Sequence, residues 1–345
     1  MAASRSLGAT NHEGGGLKTE ADSRTTPLFE RTMALIPSES TLRTSYFTVE
    51  PTRMMRASGY EWDHEIRVAL PVSYAETTKT YPVLWITDNT LEAALSVLGQ
   101  LDLILVGVGA DRIPVVESSN RRIYDFMPDE DLYARDPHGD HLRREMPALF
   151  PGYRGGGAAR FLDFLIDDVR SALASEYRMD SLDHGLFGFS GGGTFVGFSI
   201  FARPGAFARY ICGSPALYSC NHRVFDLEEQ YAAEHDDLPA HVFLGAGEGE
   251  LTEHLISAWG CASSMAKLAE TLSFRGYPSL RLTVKVFAGE THPTMLAPLL
   301  SWGVRSVWGD EIFPELFRVD ESDQSDGRPE PATNITEEAA SDAHH

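Results

Sequence analysis

His184-Gly-Leu-Phe-Gly-Phe-Ser190-Gly-Gly-Gly-Thr194, followed by the apolar run Phe195–Phe201, is the stretch that decides the fold. His184–Phe189 reads as a short buried strand and the run behind Thr194 as a helix, so the G-x-S-x-G element Gly188–Gly192 falls on a strand-to-helix turn. At such a turn a serine is held on strained backbone with its hydroxyl projecting. Side chains at 188 and 192 would collide with the neighbouring strand and helix. Ser190 is therefore a candidate nucleophile, and the helix that starts behind it aims its positive end at any charge developing there.

On both sides of this turn, apolar strands alternate with amphipathic helices, which predicts an α/β fold with a mostly parallel central sheet and helices on both faces. Tyr46–Val49 and His64–Leu70 read as opening strands in a hairpin at the sheet edge, with Pro71 ending the second. Tyr81–Thr87 and Leu103–Val108 are short, nearly continuous apolar runs of the kind buried on two faces. Phe161, Leu165, Val169 and Leu173 recur every four residues, predicting a helix over about 157–177. Arg209–Cys212, His241–Leu244 and Leu280–Phe287 complete the strands. Helices are expected near Thr194–Ala202, Glu253–Leu272 and Thr294–Val307.

A serine hydroxyl is inert at neutral pH until a base takes its proton and an acid orients that base. Glu248 and Glu250 follow directly on the His241–Leu244 strand, and either can serve as the acid. Glu250 is preferred for its place in a G-x-x-acid turn after Gly247. For the base, His292 is the one histidine of the twelve in a Gly-containing loop after the last strand. The order Ser, acid, His is that of α/β-hydrolases. The oxyanion of a tetrahedral intermediate needs preorganised N–H donors. Gly191, the residue after the nucleophile, supplies one. Thr90 is favoured for the second, with Asn89 as its substitute. Asp88 either caps the helix that follows or belongs to the site.

Composition sets the remaining bounds. The chain has 345 residues, 43% apolar, enough to bury a large core. Its formal charge of −21 would repel a phosphate backbone, so nucleic acid is not an expected partner. No apolar run reaches the roughly 18 residues of a membrane helix, and no secretory signal is evident, so a cytoplasmic protein with no membrane partner is expected. Cys212, Cys220 and Cys261 lack paired spacing and suit buried free thiols. Asp136-Pro-His138-Gly-Asp140-His141 has metal-ligand residue types but no second cluster, so no metal is assigned. No cofactor is called for either. The Gly/Ser/Thr-rich 1–40 and the acidic 319–345 read as disordered segments around a domain spanning 41–318, with a lid-like insertion at about 111–155. The sequence does not indicate an oligomeric state.

The chain resembles the putative-esterase family of α/β-hydrolases, which includes siderophore (ferric-enterobactin) esterases, esterase D-type enzymes, feruloyl esterases and mycolyltransferases. The likeness runs from about residue 45 to 310. It rests on Ala69-Leu-Pro71 with Tyr74, Tyr81-Pro-Val-Leu-Trp-Ile-Thr-Asp88, Val106-Gly-Val-Gly109 and Arg121-Arg122 with Asp125 and Pro128. It continues through Gly155-Gly-Gly157 with Phe161, Phe164 and Leu165, then the Gly188–Gly192 elbow, Ser214-Pro-Ala-Leu-Tyr218, Gly247-Glu248 and Gly289-Glu-Thr-His292. Two departures stand out: Asp88-Asn89 replaces the family's Asp-Gly, and Ser190-Gly-Gly-Gly replaces Ser-Leu-Gly-Gly. The resemblance implies hydrolysis of a small-molecule carboxylic ester through an acyl-enzyme, of siderophore or aromatic type. An acyltransferase on the same triad and a non-catalytic binding protein are the alternatives. Arg121 and Arg122, in the segment that loops over the active face, either anchor an anionic substrate or pair with Asp125 and Asp129.

Overall fold

A computed structural model describes residues 42–88, 90–109, 115–136 and 138–312. The expected terminal segments 1–40 and 319–345 lie outside the described residues, as does Asn89. Among the described residues ten strands form one sheet: β1 (Leu42–Arg43), β2 (Phe47–Val49), β3 (Arg53–Met55), β4 (His64–Pro71), β5 (Tyr81–Thr87), β6 (Ile104–Gly109), β7 (Met179–Phe189), β8 (Arg209–Gly213), β9 (His241–Gly247) and β10 (Arg281–Phe287). The order is β1-β2-β4-β6-β5-β7-β8-β9-β10, with β3 paired to β4. From β6 to β10 every pairing is parallel, and β4 joins β6 antiparallel.

Nine helices bear on the argument: α1 (Leu91–Val97), α2 (Val115–Phe126), α3 (Gly139–Leu149), α4, α5 (Gly191–Ala202), α6 (Arg223–Glu234), α7 (His254–Trp259), α8 (Cys261–Arg275) and α9 (Leu296–Trp308). Helix α4 is continuous through Ala158–Asp163, a π-helical Phe164–Arg170 and Ser171–Ala174. Alternation along the strands explains why helices cover both faces. Val83 and Trp85 of β5 face one apolar cluster, together with Phe161 and Leu165 of α4 and Leu268 of α8. Leu84 and Ile86 face the other, with Leu91 of α1 and Leu299 of α9.

Three local expectations need correction. The single helix expected over Glu253–Leu272 is two, α7 and α8, broken at Gly260, whose φ of +65° is the left-handed region in which glycine is least strained. Strand β7 starts at Met179, five residues before the expected His184. Pro71 ends β4 as expected, but the strands expected as an edge hairpin, β2 and β4, are separated in sequence by β3, and β1 lies outside β2.

The chain crosses from β6 over β5 to β7, so the strand order reverses beside β5. In open α/β sheets, ligands bind at the carboxyl ends of strands flanking such a reversal. Asp88 leaves β5 there and Ser190 leaves β7 there.

Candidate active site

Ser190 occupies the junction of β7 and α5 at φ +59°, ψ −119°, a conformation costly for a residue with a Cβ. The glycines around it make the turn possible. A Cβ on Gly188 would lie 2.1 Å from the Gly192 carbonyl oxygen, and one on Gly192 would lie 2.5 Å from Thr87 Oγ1. The Ser190 N–H donates to the Gly213 carbonyl at 2.9 Å, tying the elbow to β8.

Ser190 Oγ lies 3.0 Å from His292 Nε2, although the two are 102 residues apart in the chain. His292 Nδ1 lies 2.8 Å from Glu250 Oε1. Its loop, between β10 and α9, is fixed by a capping box of Thr291 and Thr294 and by donation of the His292 N–H to Glu253 Oε2 at 3.0 Å. The imidazole packs against the Phe189 ring, with centroids 4.7 Å apart. Glu250 follows β9 in a one-turn 3₁₀ helix, and its side chain is wholly excluded from solvent. A carboxylate in that position is worth most when the imidazole carries a positive charge.

The two candidate acids are thereby separated by geometry. Glu248 is exposed, and its Oε2 accepts the Gly289 N–H at 2.9 Å, so it braces the histidine loop without meeting the imidazole. Glu253, which holds the His292 backbone, was not singled out in the sequence. Its only signal there is its position three residues beyond Glu250 in an acid-rich turn.

Gly191 heads α5, and the first N–H groups of a helix have no acceptor within it, which leaves them available at the elbow. Thr90 is the N-cap of α1, and its hydroxyl donates to the Thr87 carbonyl at 2.9 Å. Asp88 does not cap that helix. At φ +64° it turns toward α2, where Arg122 Nε donates to its Oδ1 at 2.6 Å. Burial pushes the Asp88 carboxyl above its ordinary value, against the opposing pull of the guanidinium. Arg122 also donates to the Phe189 carbonyl at 3.3 Å, and a Cβ on Gly191 would come 3.1 Å from it. Arg122 thus lies against the elbow in the space that a side chain at 191 would need.

The expected pairing of the arginines with Asp125 and Asp129 is not found. Asp125 is buried against His64 Nε2 at 2.9 Å, and Asp129 accepts from Asn221. Arg121 pairs with Glu117 four residues earlier and lies over the Trp62 ring, whereas its neighbour Arg122 lines the cavity at Ser190. That cavity is mostly apolar. Ile123, Met127, Leu132, Tyr133, Met146 and Phe150, all from the 111–155 segment, line it together with Ser190, Gly191 and Trp259 of α7.

These features can be set beside known proteins. The family model described as Putative esterase matches residues 57–311. The ferri-bacillibactin esterase BesA of Bacillus subtilis is 25% identical over 275 residues, covering 75% of this chain and 90% of that protein. The siderophore triacetylfusarinine C esterase of Aspergillus fumigatus is 27% identical over 176 residues, 46% of this chain and 60% of its own length. Among solved structures, the BES protein from Bacillus cereus superposes with a TM-score of 0.61 at 22% identity, over 79% of this chain and 99% of that one. No helix among the described residues is long and apolar enough to cross a membrane. With an α/β-hydrolase sheet and a family match over most of its length, this chain belongs to the Putative esterase family and is a carboxylic ester hydrolase.

Proposed function

We propose that the protein hydrolyses a siderophore-type ester through an acyl-enzyme formed on Ser190. The observation that carries this reading is the unbroken relay from Ser190 Oγ through both ring nitrogens of His292 to the buried Glu250 carboxylate. In the first half-reaction Ser190 Oγ attacks the ester carbon while His292 Nε2 takes the hydroxyl proton. Glu250 holds the Nδ1–H and stabilises the imidazolium. The ester oxygen leaves as an alcohol carrying that proton. Water then attacks the acyl-enzyme, giving up a proton to His292, and the freed acid departs with Ser190 restored. The negative oxygen is held by the Gly191 N–H and by the Thr90 N–H, from the loop after β5.

Siderophore esters are the substrate class supported by the two named relatives, one bacterial and one fungal. The apolar, aromatic walls contributed by Tyr133, Phe150 and Trp259 suit an aryl or bulky acyl group. A cytoplasmic setting suits the three cysteines, all free and buried, with the Cys212 thiol pushed up to about 12 by burial. The test is an ester screen with siderophore trilactones, feruloyl esters and short p-nitrophenyl esters, together with fluorophosphonate labelling. Labelling and turnover that both vanish in Ser190→Ala are expected. Labelling without hydrolysis, but with transfer to an added alcohol, would identify an acyltransferase. Absence of labelling in the native protein would overturn the mechanism.

A further inference from the structure

His292 is held by two carboxylates, and the mechanism above uses one of them. Glu250 meets the ring at Nδ1, whereas Glu253, three residues on, accepts the main-chain N–H of the same histidine on its Oε2 at 3.0 Å. Beside the ring contact, three hydrogen bonds among the described residues tie the histidine loop to the turn after β9. The Gly289 N–H donates to Glu248 Oε2, the Gly249 N–H donates to the Glu290 carbonyl at 2.9 Å, and the Glu253 bond falls on the histidine itself.

Glu253 presents its carboxylate from backbone that is itself fixed. It is the N-cap residue of α7, its N–H donates to the Gly249 carbonyl at 3.0 Å, and its carbonyl accepts the Ser257 N–H at 2.7 Å. The side chain is half-buried, and its charge reaches inward. Burial first, and then the charges of Glu250 and Glu253, raise the thiol of Cys261 at the head of α8. The two carboxylates therefore bear on one neighbourhood, and the His292 ring, one methylene from its own Cα, lies in it. A carboxylate that accepts an N–H makes a charge-assisted bond, stronger than a neutral one, and negative charge beside an imidazole favours its protonated form.

We propose that Glu253 is a positioning residue for ester hydrolysis, an inference that rests on the reading of His292 as the base. Its carboxylate pins the His292 main chain so that Nε2 stays within reach of Ser190 Oγ, and its charge adds to that of Glu250 in stabilising the imidazolium. Glu253 is not among the residues lining the cavity at Ser190, so it acts through His292 and not on the substrate. Glutamine at this position keeps the acceptor oxygen and removes the charge. Alanine removes both.

The test is p-nitrophenyl acetate hydrolysis from about pH 5 to 9, with burst amplitude to count competent sites and thermal unfolding to verify folding. In Glu253→Gln the acid limb of kcat/KM should move down by about half a pH unit, because the protonated histidine has lost a favourable charge, with KM unchanged. Glu253→Ala should show the same shift together with a fall in plateau kcat of about tenfold or more, and the glutamine variant should recover most of that fall. A scaffold contact alone would lower the melting temperature or the burst amplitude and leave the limb where it is. An unmoved limb in both variants, or a Glu253→Ala enzyme within about threefold of the native plateau kcat, would overturn the proposal. If Glu253→Ala does not fold, the limb in Glu253→Gln decides. His292→Ala, run alongside, separates this role from the reading beneath it. An inactive His292→Ala beside a native-like Glu253→Ala sinks the role of Glu253 alone, whereas native turnover in His292→Ala sinks the base and Glu253 with it.

Discussion

Glu250→Gln removes one charge from the site with almost no change of shape, and its consequence can be worked from the geometry. On the proposed mechanism the His292 ring becomes an imidazolium in the transition state, with the Glu250 carboxylate 2.8 Å from its Nδ1 and shut off from water. With charge centres about 4 Å apart and an effective dielectric of about 20, their attraction is about 4 kcal/mol. Losing it slows the reaction by about three powers of ten. The amide can also offer an N–H to Nδ1, favouring the tautomer that cannot accept the serine proton, so a total loss of 10³- to 10⁴-fold in kcat is expected. Glu248→Gln is the control. Its carbonyl can still accept the Gly289 N–H, so turnover should stay within about threefold of the native rate. The assay is p-nitrophenyl acetate hydrolysis, with a pre-steady-state burst to count competent sites. A Glu250→Gln enzyme within tenfold of native kcat would refute the assignment of the acid, as would equal losses in the two variants.

Gly188→Ala would place a Cβ 2.1 Å from the Gly192 carbonyl, a backbone atom unable to swing aside, so a loss of about 3 kcal/mol or more in unfolding free energy is expected by denaturant titration. His184 accepts a hydrogen bond from Trp85 Nε1 at 3.0 Å, and burial depresses its imidazole to about 4. The unfolded chain therefore binds a proton that the native chain refuses. Stability is fully present above about pH 6.5 and falls as the pH drops toward 4, by up to about 3 kcal/mol, and His184→Gln should flatten that slope in unfolding titrations. Arg122→Met strands the Asp88 carboxyl in a largely buried position and should cost about 2 kcal/mol, less than a fully buried pair because the guanidinium is partly exposed. Adding Asp88→Asn should recover about half of that loss, and a double variant no more stable than Arg122→Met would show that the pair is not the cause.

The parts of this fold and site that could be read in advance are those where the backbone admits few residue types. Strand β5 is apolar at nearly every position because it is buried on both faces, and the elbow is glycine-rich because carbonyl and hydroxyl groups stand where Cβ atoms would be. His292 stood out because, among the described residues, it is the one histidine that follows the last strand. Glu250 and Glu248 could not be separated, since both are glutamates in one glycine-containing turn, and the distinction lies in a rotation of the 3₁₀ helix that buries one and exposes the other. The 111–155 segment was harder still, because its arginines make contacts far away in sequence, although Arg121 also pairs with Glu117 one turn earlier. Arg122 meets Asp88 34 residues earlier, and Arg121 lies over Trp62, neither of which leaves a local pattern. Adjacent residues on a helix point about 100° apart, so Arg121 and Arg122 face different surfaces. The same geometry puts Arg122 and Ile123 on the stripe of α2 that lines the Ser190 cavity and Arg121 on another, so on the proposed mechanism substitutions at 122 and 123 should affect turnover more than substitutions at 121.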